Sequence, residues 1–248
     1  MDFTIIITTS PISTNPDITM INCVINSLFK NIKSNFEKKI IISCDGIDEE
    51  NKKYNSFINN LNEKYKNNKN ISVIVNEKKG HLTGNIRNSI KYVNTKYILF
   101  VQHDLVIIKE INADKIIDDM EKNSKLKHVR LNKRNNQKSG WDNTNLFASE
   151  IIEQNYNYIL TEAWSDQNHF TTKDYYLKNV LSNVDDGVFM EQVMNNICKG
   201  HHSIYGTYVF GKMDEERYIV HIDGADTRRG NLGAQCKKDR EYYLKIFK

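Results

Sequence analysis

The chain has 248 residues, 27% of them charged and 39% hydrophobic, which excludes a disordered chain and leaves enough apolar surface for one large globular domain. Its formal net charge of +4 falls short of a nucleic-acid-binding signature, so no nucleic-acid partner is expected; a phosphorylated small molecule suits that charge better. No stretch approaches the roughly 20 consecutive apolar residues of a membrane span, so no integral membrane segment is expected. The four cysteines, Cys23, Cys44, Cys198 and Cys236, form no Cys-x-x-Cys pair and read as buried thiols in a reducing, cytoplasmic setting. Any membrane association would then run through a partner.

In chain order, Phe3 to Thr9 is an apolar, β-branched run of strand length, followed by a loop holding both prolines, Pro11 and Pro16. Asp17 is placed to cap a helix over Ile18 to Ile32, where Ile21, Val24, Ile25 and Phe29 keep helical spacing. Lys39 to Ser43 reads as a second strand ending in Cys44-Asp45-Gly46, and a polar helix follows from Glu49 to Tyr65. Ile71 to Val75 is a third strand. The loop 76–80 leads into a helix from Leu82 to Val93, and the fourth strand, Tyr97 to Val101, runs into Gln102-His103-Asp104. Continuous apolar strands separated by helices predict a parallel sheet covered on both faces, with its ligand site at the carboxyl ends of the strands.

The second half is less regular. A helix is predicted over Ala113 to Asn123, a strand over Lys127 to Leu131, and a polar, mobile loop over Lys133 to Asn145. Thr171 or Thr172 caps a further helix, and another begins near Gly187, carrying Phe189, Glu191, Val193, Met194 and Ile197. Ser203 to Phe210 and Tyr218 to Ile222 read as strands, and a basic loop leads to a terminal helix from about Lys237. No repeat or linker divides the chain. The expectation is a single domain over 1–248, with a nucleotide-binding half over 1–108 and an acceptor-binding, catalytic half over 109–248.

Asp104 is the first residue with chemical promise. A carboxylate at the carboxyl end of a buried strand is held rigidly toward the ligand crevice and can hold a divalent cation that in turn holds a diphosphate. A plain turn cap is the alternative.

Three segments, taken together, resemble the core of the family-2-like, GT-A-fold glycosyltransferases. These are Asn76-Glu77-Lys78-Lys79-Gly80, Gly84-Asn85-Ile86-Arg87-Asn88, and Lys96-Tyr97-Ile98-Leu99-Phe100-Val101-Gln102-His103-Asp104. Those enzymes carry a glycine-containing loop, an Ala-Arg-Asn element on a helix, and a strand ending in Asp-x-Asp. Arg87-Asn88 matches the Arg-Asn element and Asp104 the second Asp, while Gln102 stands where the first Asp would be. The resemblance covers roughly residues 3 to 108.

It implies an α/β, GT-A fold with a Rossmann-like nucleotide-binding half and a mixed central sheet. It also implies transfer of a hexosyl-type sugar from a UDP-sugar donor to a glycan or other acceptor hydroxyl, with inversion and with Mn²⁺ or Mg²⁺. Within that frame Thr8, Thr9 and Ser10 lie over the nucleotide, and Asp45 hydrogen-bonds the base or ribose. Lys79 and Arg87 balance phosphate charge. His103 is either a substitute ligand or, as a strand neighbour of Asp104, faces away. The base that deprotonates the acceptor is expected in Asp185-Asp186-Gly187-Val188-Phe189-Met190-Glu191, with Glu191 first and Asp186 second. His221 completes the metal shell with Asp104, and Arg228 and Arg229 stabilise the departing diphosphate. A sugar nucleotidyltransferase would need a glycine-rich loop after the first strand, where Thr8-Thr9-Ser10-Pro11 stands instead. A non-catalytic sugar- or nucleotide-binding protein is the reading that Gln102 favours.

Overall fold

The computed structural model describes residues 2–47, 51–137, 146–223 and 231–248, with backbone only at 147–149 and 231–236. The first half follows the predicted alternation. Strand β1 (Phe3–Thr9) leads to helix α1 (Thr19–Asn31), short strand β2 (Ile32–Lys33), β3 (Lys39–Cys44), α2 (Lys52–Tyr65), β4 (Ile71–Val75), α3 (His81–Ser89) with a 3-10 turn at Ile90–Tyr92, and β5 (Tyr97–Gln102). Asp17 holds the start of α1 as an Asx turn, accepting from the Thr19 amide at 2.7 Å, while Ile18 occupies the cap position itself. Asn51 caps α2 by accepting from the Tyr54 amide at 3.0 Å.

Beyond β5 come β6 (Leu105–Ile107), β7 (Ile111–Asn112), α4 (Ala113–Lys122), β8 (His128–Arg130), β9 (Leu146–Glu153), β10 (Asn157–Thr161) and β11 (His169–Thr172). A short turn of helix, α5 (Lys173–Tyr175), is capped by the Thr172 hydroxyl and passes into a π turn over Tyr176–Val180. The chain ends with α6 (Met190–Cys198), α7 (His202–Tyr205), β12 (Thr207–Phe210), β13 (Ile219–His221) and α8 (Asn231–Ile246). The expected strand over Ser203 to Phe210 therefore begins only at Thr207. Gly206, at φ +49°, ends a turn of helix that the apolar run conceals. The hairpin β9–β10 was not legible in the sequence.

Nine strands form one sheet in the order β4-β3-β1-β5-β11-β8-β12-β10-β9. β4, β3, β1 and β5 are parallel, and β11 joins β5 antiparallel, pairing His169 with Phe100, so the sheet is mixed as expected. The near-continuous apolar strands are explained by two covered faces. Ile5, Ile7, Ile42, Leu99 and Val101 pack with α1, α2 and α4 on one side. Ile6, Ile41, Ile98 and Phe100 pack with α3, Tyr176 and α6 on the other.

A small second ladder completes the site's frame. β13 pairs antiparallel with β6, setting His221 opposite Leu105, and the Ile222 amide donates to the Asp104 carbonyl at 2.8 Å. No described helix is long and apolar enough to cross a membrane.

Candidate active site at the carboxyl ends of β1 and β5

A cavity of about 170 Å³ opens where β1 and β5 end. The end of β1 contributes Thr8, Thr9 and Ser10; the start of α3 contributes His81, Leu82 and Asn85; the turn after β5 contributes Gln102, His103 and Asp104. The turn is braced from both sides. The Asn168 side chain accepts from the Gln102 amide at 3.0 Å and donates to the Leu105 carbonyl at 3.0 Å. The His103 amide donates to the Thr8 carbonyl at 3.2 Å, which ties the turn to β1.

On the opposite wall, Asn85 donates to the carbonyls of Thr9 and Ser43, each at 3.0 Å, and accepts from the Ser43 hydroxyl. One amide thereby joins α3 to the ends of two strands. His81 opens α3 in the left-handed region at φ +52°, a strained conformation for a residue with a Cβ and one found where a chain is held for a ligand.

Asp104 meets His221 as the chain order suggested. His221 Nε2 lies 2.9 Å from Asp104 Oδ2, and its Nδ1 lies 3.5 Å from Asp223 Oδ1. Ligand atoms of Asp104, His221 and Asp223 all fall within 4.8 Å of one another, a spacing that fits one cation, and they are the group of three or more such side chains found among the described residues. Asp104 Oδ1 is buried with no hydrogen-bond partner, as is Thr9 Oγ1 across the cavity. Asp104 Oδ1 thus keeps its capacity to bind a polar ligand or an ion. Burial pushes the Asp104 carboxyl up, but the neighbouring His103 and the His221 hydrogen bond outweigh it and hold the group at about 2. Burial lowers His221, and Asp104 and Asp223 more than reverse this, so the imidazole titrates above its ordinary range.

His103 lines the cavity with Nδ1 3.2 Å from the Thr8 carbonyl and does not belong to the converging group. Asp45 is 2% exposed, and its Oδ1 accepts from the Gly46 and Gly80 amides at 3.0 and 2.9 Å. One oxygen of its carboxylate thus organises the loop before α3. A Cβ on Gly46 would lie 2.2 Å from the Lys78 carbonyl carbon, so only glycine lets the end of β3 meet that loop.

Three expected site residues are brought together elsewhere. Lys79, Arg87 and Asp186 border a second depression along another face of α3. Arg87 stands two residues, or about 200° of helix, from the cavity-lining Asn85. Its guanidinium donates to Asp186 Oδ1 at 2.8 Å and to the Val184 carbonyl at 2.7 Å. Arg87 was expected to balance phosphate charge; helical geometry turns it away from this cavity, and its guanidinium braces the 184–186 turn. Asp186 is held in that same pair. Arg228 and Arg229 lie outside the described residues.

Glu191 stands in the first turn of α6, and its surroundings reveal a residue that the sequence did not signal. Asp166, in the loop before β11, accepts on its backbone carbonyl from Gln102 Nε2 at 3.2 Å. Burial, then the nearby Glu191 carboxylate and more weakly Asp104, raise the Asp166 carboxyl to about 7. Both carboxylates therefore lie within electrostatic range of Asp166. Nothing in Trp164-Ser165-Asp166-Gln167 signals this, because the juxtaposition depends on β11 running back along β5. Trp164 and His169 are fully buried.

No family model and no curated protein matches the sequence. Solved structures do match the fold. Staphylococcus aureus TarS 1-349, solved with UDP-GlcNAc, superposes at a TM-score of 0.54 and 14% identity over 100% of this chain. GalNAc-T7, solved with UDP, GalNAc and Mn²⁺, superposes at 0.62 and 10% identity over 89% of it. The chain spans 65% of the TarS 1-349 chain and 43% of the GalNAc-T7 chain. The chain has the GT-A fold.

Proposed function

We propose that the chain is a glycosyltransferase that moves a sugar from a nucleotide-sugar donor, a UDP-sugar, to an acceptor hydroxyl with inversion and with help from Mn²⁺ or Mg²⁺. The observation that carries this is the unpartnered Asp104 Oδ1 beside His221, at a polar cavity formed by the carboxyl ends of β1 and β5. That is where a doubly covered α/β sheet offers ligands its loops and free backbone groups. The neighbours solved with UDP-GlcNAc and with UDP and Mn²⁺ support the choice of donor class and of ion.

In this reading Thr8, Thr9 and Ser10 receive the nucleotide along the end of β1, with Asp45 and its loop shaping the base and ribose end. His103 closes the wall beside the diphosphate. Asp104 and His221 would hold a divalent cation, which would supply positive charge toward the departing diphosphate. Glu191 takes the proton from the acceptor hydroxyl as the acceptor oxygen bonds to the anomeric carbon and the bond to the diphosphate oxygen breaks. Asp166, beside Glu191, keeps the acid-rich end of the cleft ready for sugar hydroxyls.

The test is release of UDP from a panel of UDP-sugars in the presence of Mn²⁺, with Asp104→Ala as control. Slow hydrolysis or transfer that the substitution abolishes is the expected result. Absence of both UDP-sugar binding and turnover, with no effect of Asp104→Ala, rules the reading out.

A further inference from the structure

We infer that Asp223 supplies the second metal-binding carboxylate of this site, taking over the task that an acid at position 102 would perform. The inference rests on the metal-assisted reading above and concerns which residues of this chain carry it.

Three observations converge. The first is placement. His221 and Asp223 are two residues apart on the chain leaving β13, so both side chains project from the same side of an extended segment. Pairing of β13 with β6 sets that side over Asp104, and the Ile222 amide bond to the Asp104 carbonyl at 2.8 Å fixes the height. The Asp223 carbonyl is anchored in turn by Arg240 of α8 at 3.0 Å. His221 consequently stands between two carboxylates, and ligand atoms of the three groups lie within 4.8 Å of one another.

The second is charge. Asp104 alone brings one negative charge to a divalent cation. Asp104 and Asp223 with a neutral imidazole bring two, and a hard cation of the Mg²⁺ or Mn²⁺ type favours oxygen ligands that match its charge.

The third is what occupies position 102. The Gln102 side chain donates through Nε2 to the Asp166 backbone carbonyl at 3.2 Å. A carboxylate there would have no proton to donate and would add a further negative charge beside the acidic side chains of Asp166 and Glu191. A neutral side chain that donates relieves this crowding, and the acid that the cation needs comes from the other flank of Asp104. The unpartnered Asp104 Oδ1 is left as the open coordination point between the two flanks.

The experiment is titration of Mn²⁺ into the protein with and without saturating UDP, read by electron paramagnetic resonance of the free ion. Asp223→Asn is expected to weaken Mn²⁺ at least 10-fold, as Asp104→Asn does, and Gln102→Ala to change it less than 3-fold, with thermal melts showing each variant folded. A second variant, Asp223→Cys, places a soft thiolate in the shell and is expected to make Cd²⁺ displace Mn²⁺ at least 10-fold more effectively than in the parent. A merely structural Asp223 would not produce that switch. The inference is overturned if Asp223→Asn binds Mn²⁺ within 3-fold of the parent, or if Gln102→Ala loses as much. UDP affinity of the parent measured both with and without Mn²⁺ separates the two levels. Loss of UDP binding by the parent sinks the transferase reading, whereas UDP binding with Mn²⁺ indifferent to Asp223 sinks only this inference.

Discussion

His221 Nε2 lies 2.9 Å from Asp104 Oδ2, joining side chains 117 positions apart in the sequence. The pair is made by two short strands, β6 and β13, whose ladder is buried in the core and sets the end of one against the end of the other. If the pair holds the cation of a sugar transfer, Asp104→Asn and His221→Ala should each lower UDP release by about 100-fold or more at saturating donor, since electrostatic stabilisation of a leaving group is commonly worth that much. Steady-state kinetics with Mn²⁺ checks this. Activity within 3-fold of the parent in both variants would remove the pair from the mechanism.

The two candidate bases should separate cleanly. Glu191→Gln is expected to reduce transfer to an acceptor by about 10²–10⁴-fold, the usual worth of a general base. Asp186→Asn should change it by roughly 3-fold or less, because Asp186 is engaged with Arg87 away from the cavity. Both partners of that pair are exposed by a third or more, so its loss should cost under about 1 kcal/mol of stability. The reverse ranking of the two variants would transfer the base to the 184–186 turn.

Asp166 predicts a stability that depends on pH. Burial and Glu191 raise its folded pKa to about 7, well above the range of a carboxyl in the unfolded chain. Its contribution to stability is therefore complete at pH below about 4 and is lost as pH rises toward and through 7. Asp166→Asn removes the cost of ionising the group in place. A rise in Tm of roughly 4 °C or more at pH 8, vanishing near pH 4, is expected by calorimetry. An equal effect at both pH values would mean that the acid is not strained.

His128 and His169 predict the opposite slope at lower pH. Both are fully buried, with ring centroids 4.3 Å apart and close to Trp164. Burial foremost, with Arg130 adding, brings His169 down to about 4, and His128 falls well below its ordinary range. The unfolded chain takes up protons near pH 6.5 that the folded chain refuses, so stability is lost as pH falls from 6.5 toward 4, at about 1.4 kcal/mol per pH unit for each ring. Asp166 opposes one of the two. Urea titrations between pH 6.5 and 5 should show a net loss in the parent and a steeper one in Asp166→Asn. A flat profile in both would contradict the assignment.

Much of the first half was legible because local rules decide it. β1, β3, β4 and β5 are short apolar runs between helices, and such runs can only be buried on both faces of a parallel sheet. The cavity at the ends of β1 and β5 follows from that topology, and so do the positions of Thr8, Thr9, Ser10, His103 and Asp104. Local spacing failed where a helix turned a side chain away. Arg87 and Asn85 share α3, yet only Asn85 reaches the cavity.

What the sequence by itself determined is therefore the alternating α/β half, the strand that delivers Asp104, and the substitution of Gln102 for an acid. Only the tertiary structure decided what surrounds them. β11 folding antiparallel onto β5 carries Asp166 to Gln102, and β13 folding onto β6 carries His221 and Asp223 to Asp104. These meetings cross roughly 60 to 120 positions of chain. They are set by strand pairing and by the burial of the whole sheet, and the residues near each partner in sequence carry no local pattern of either.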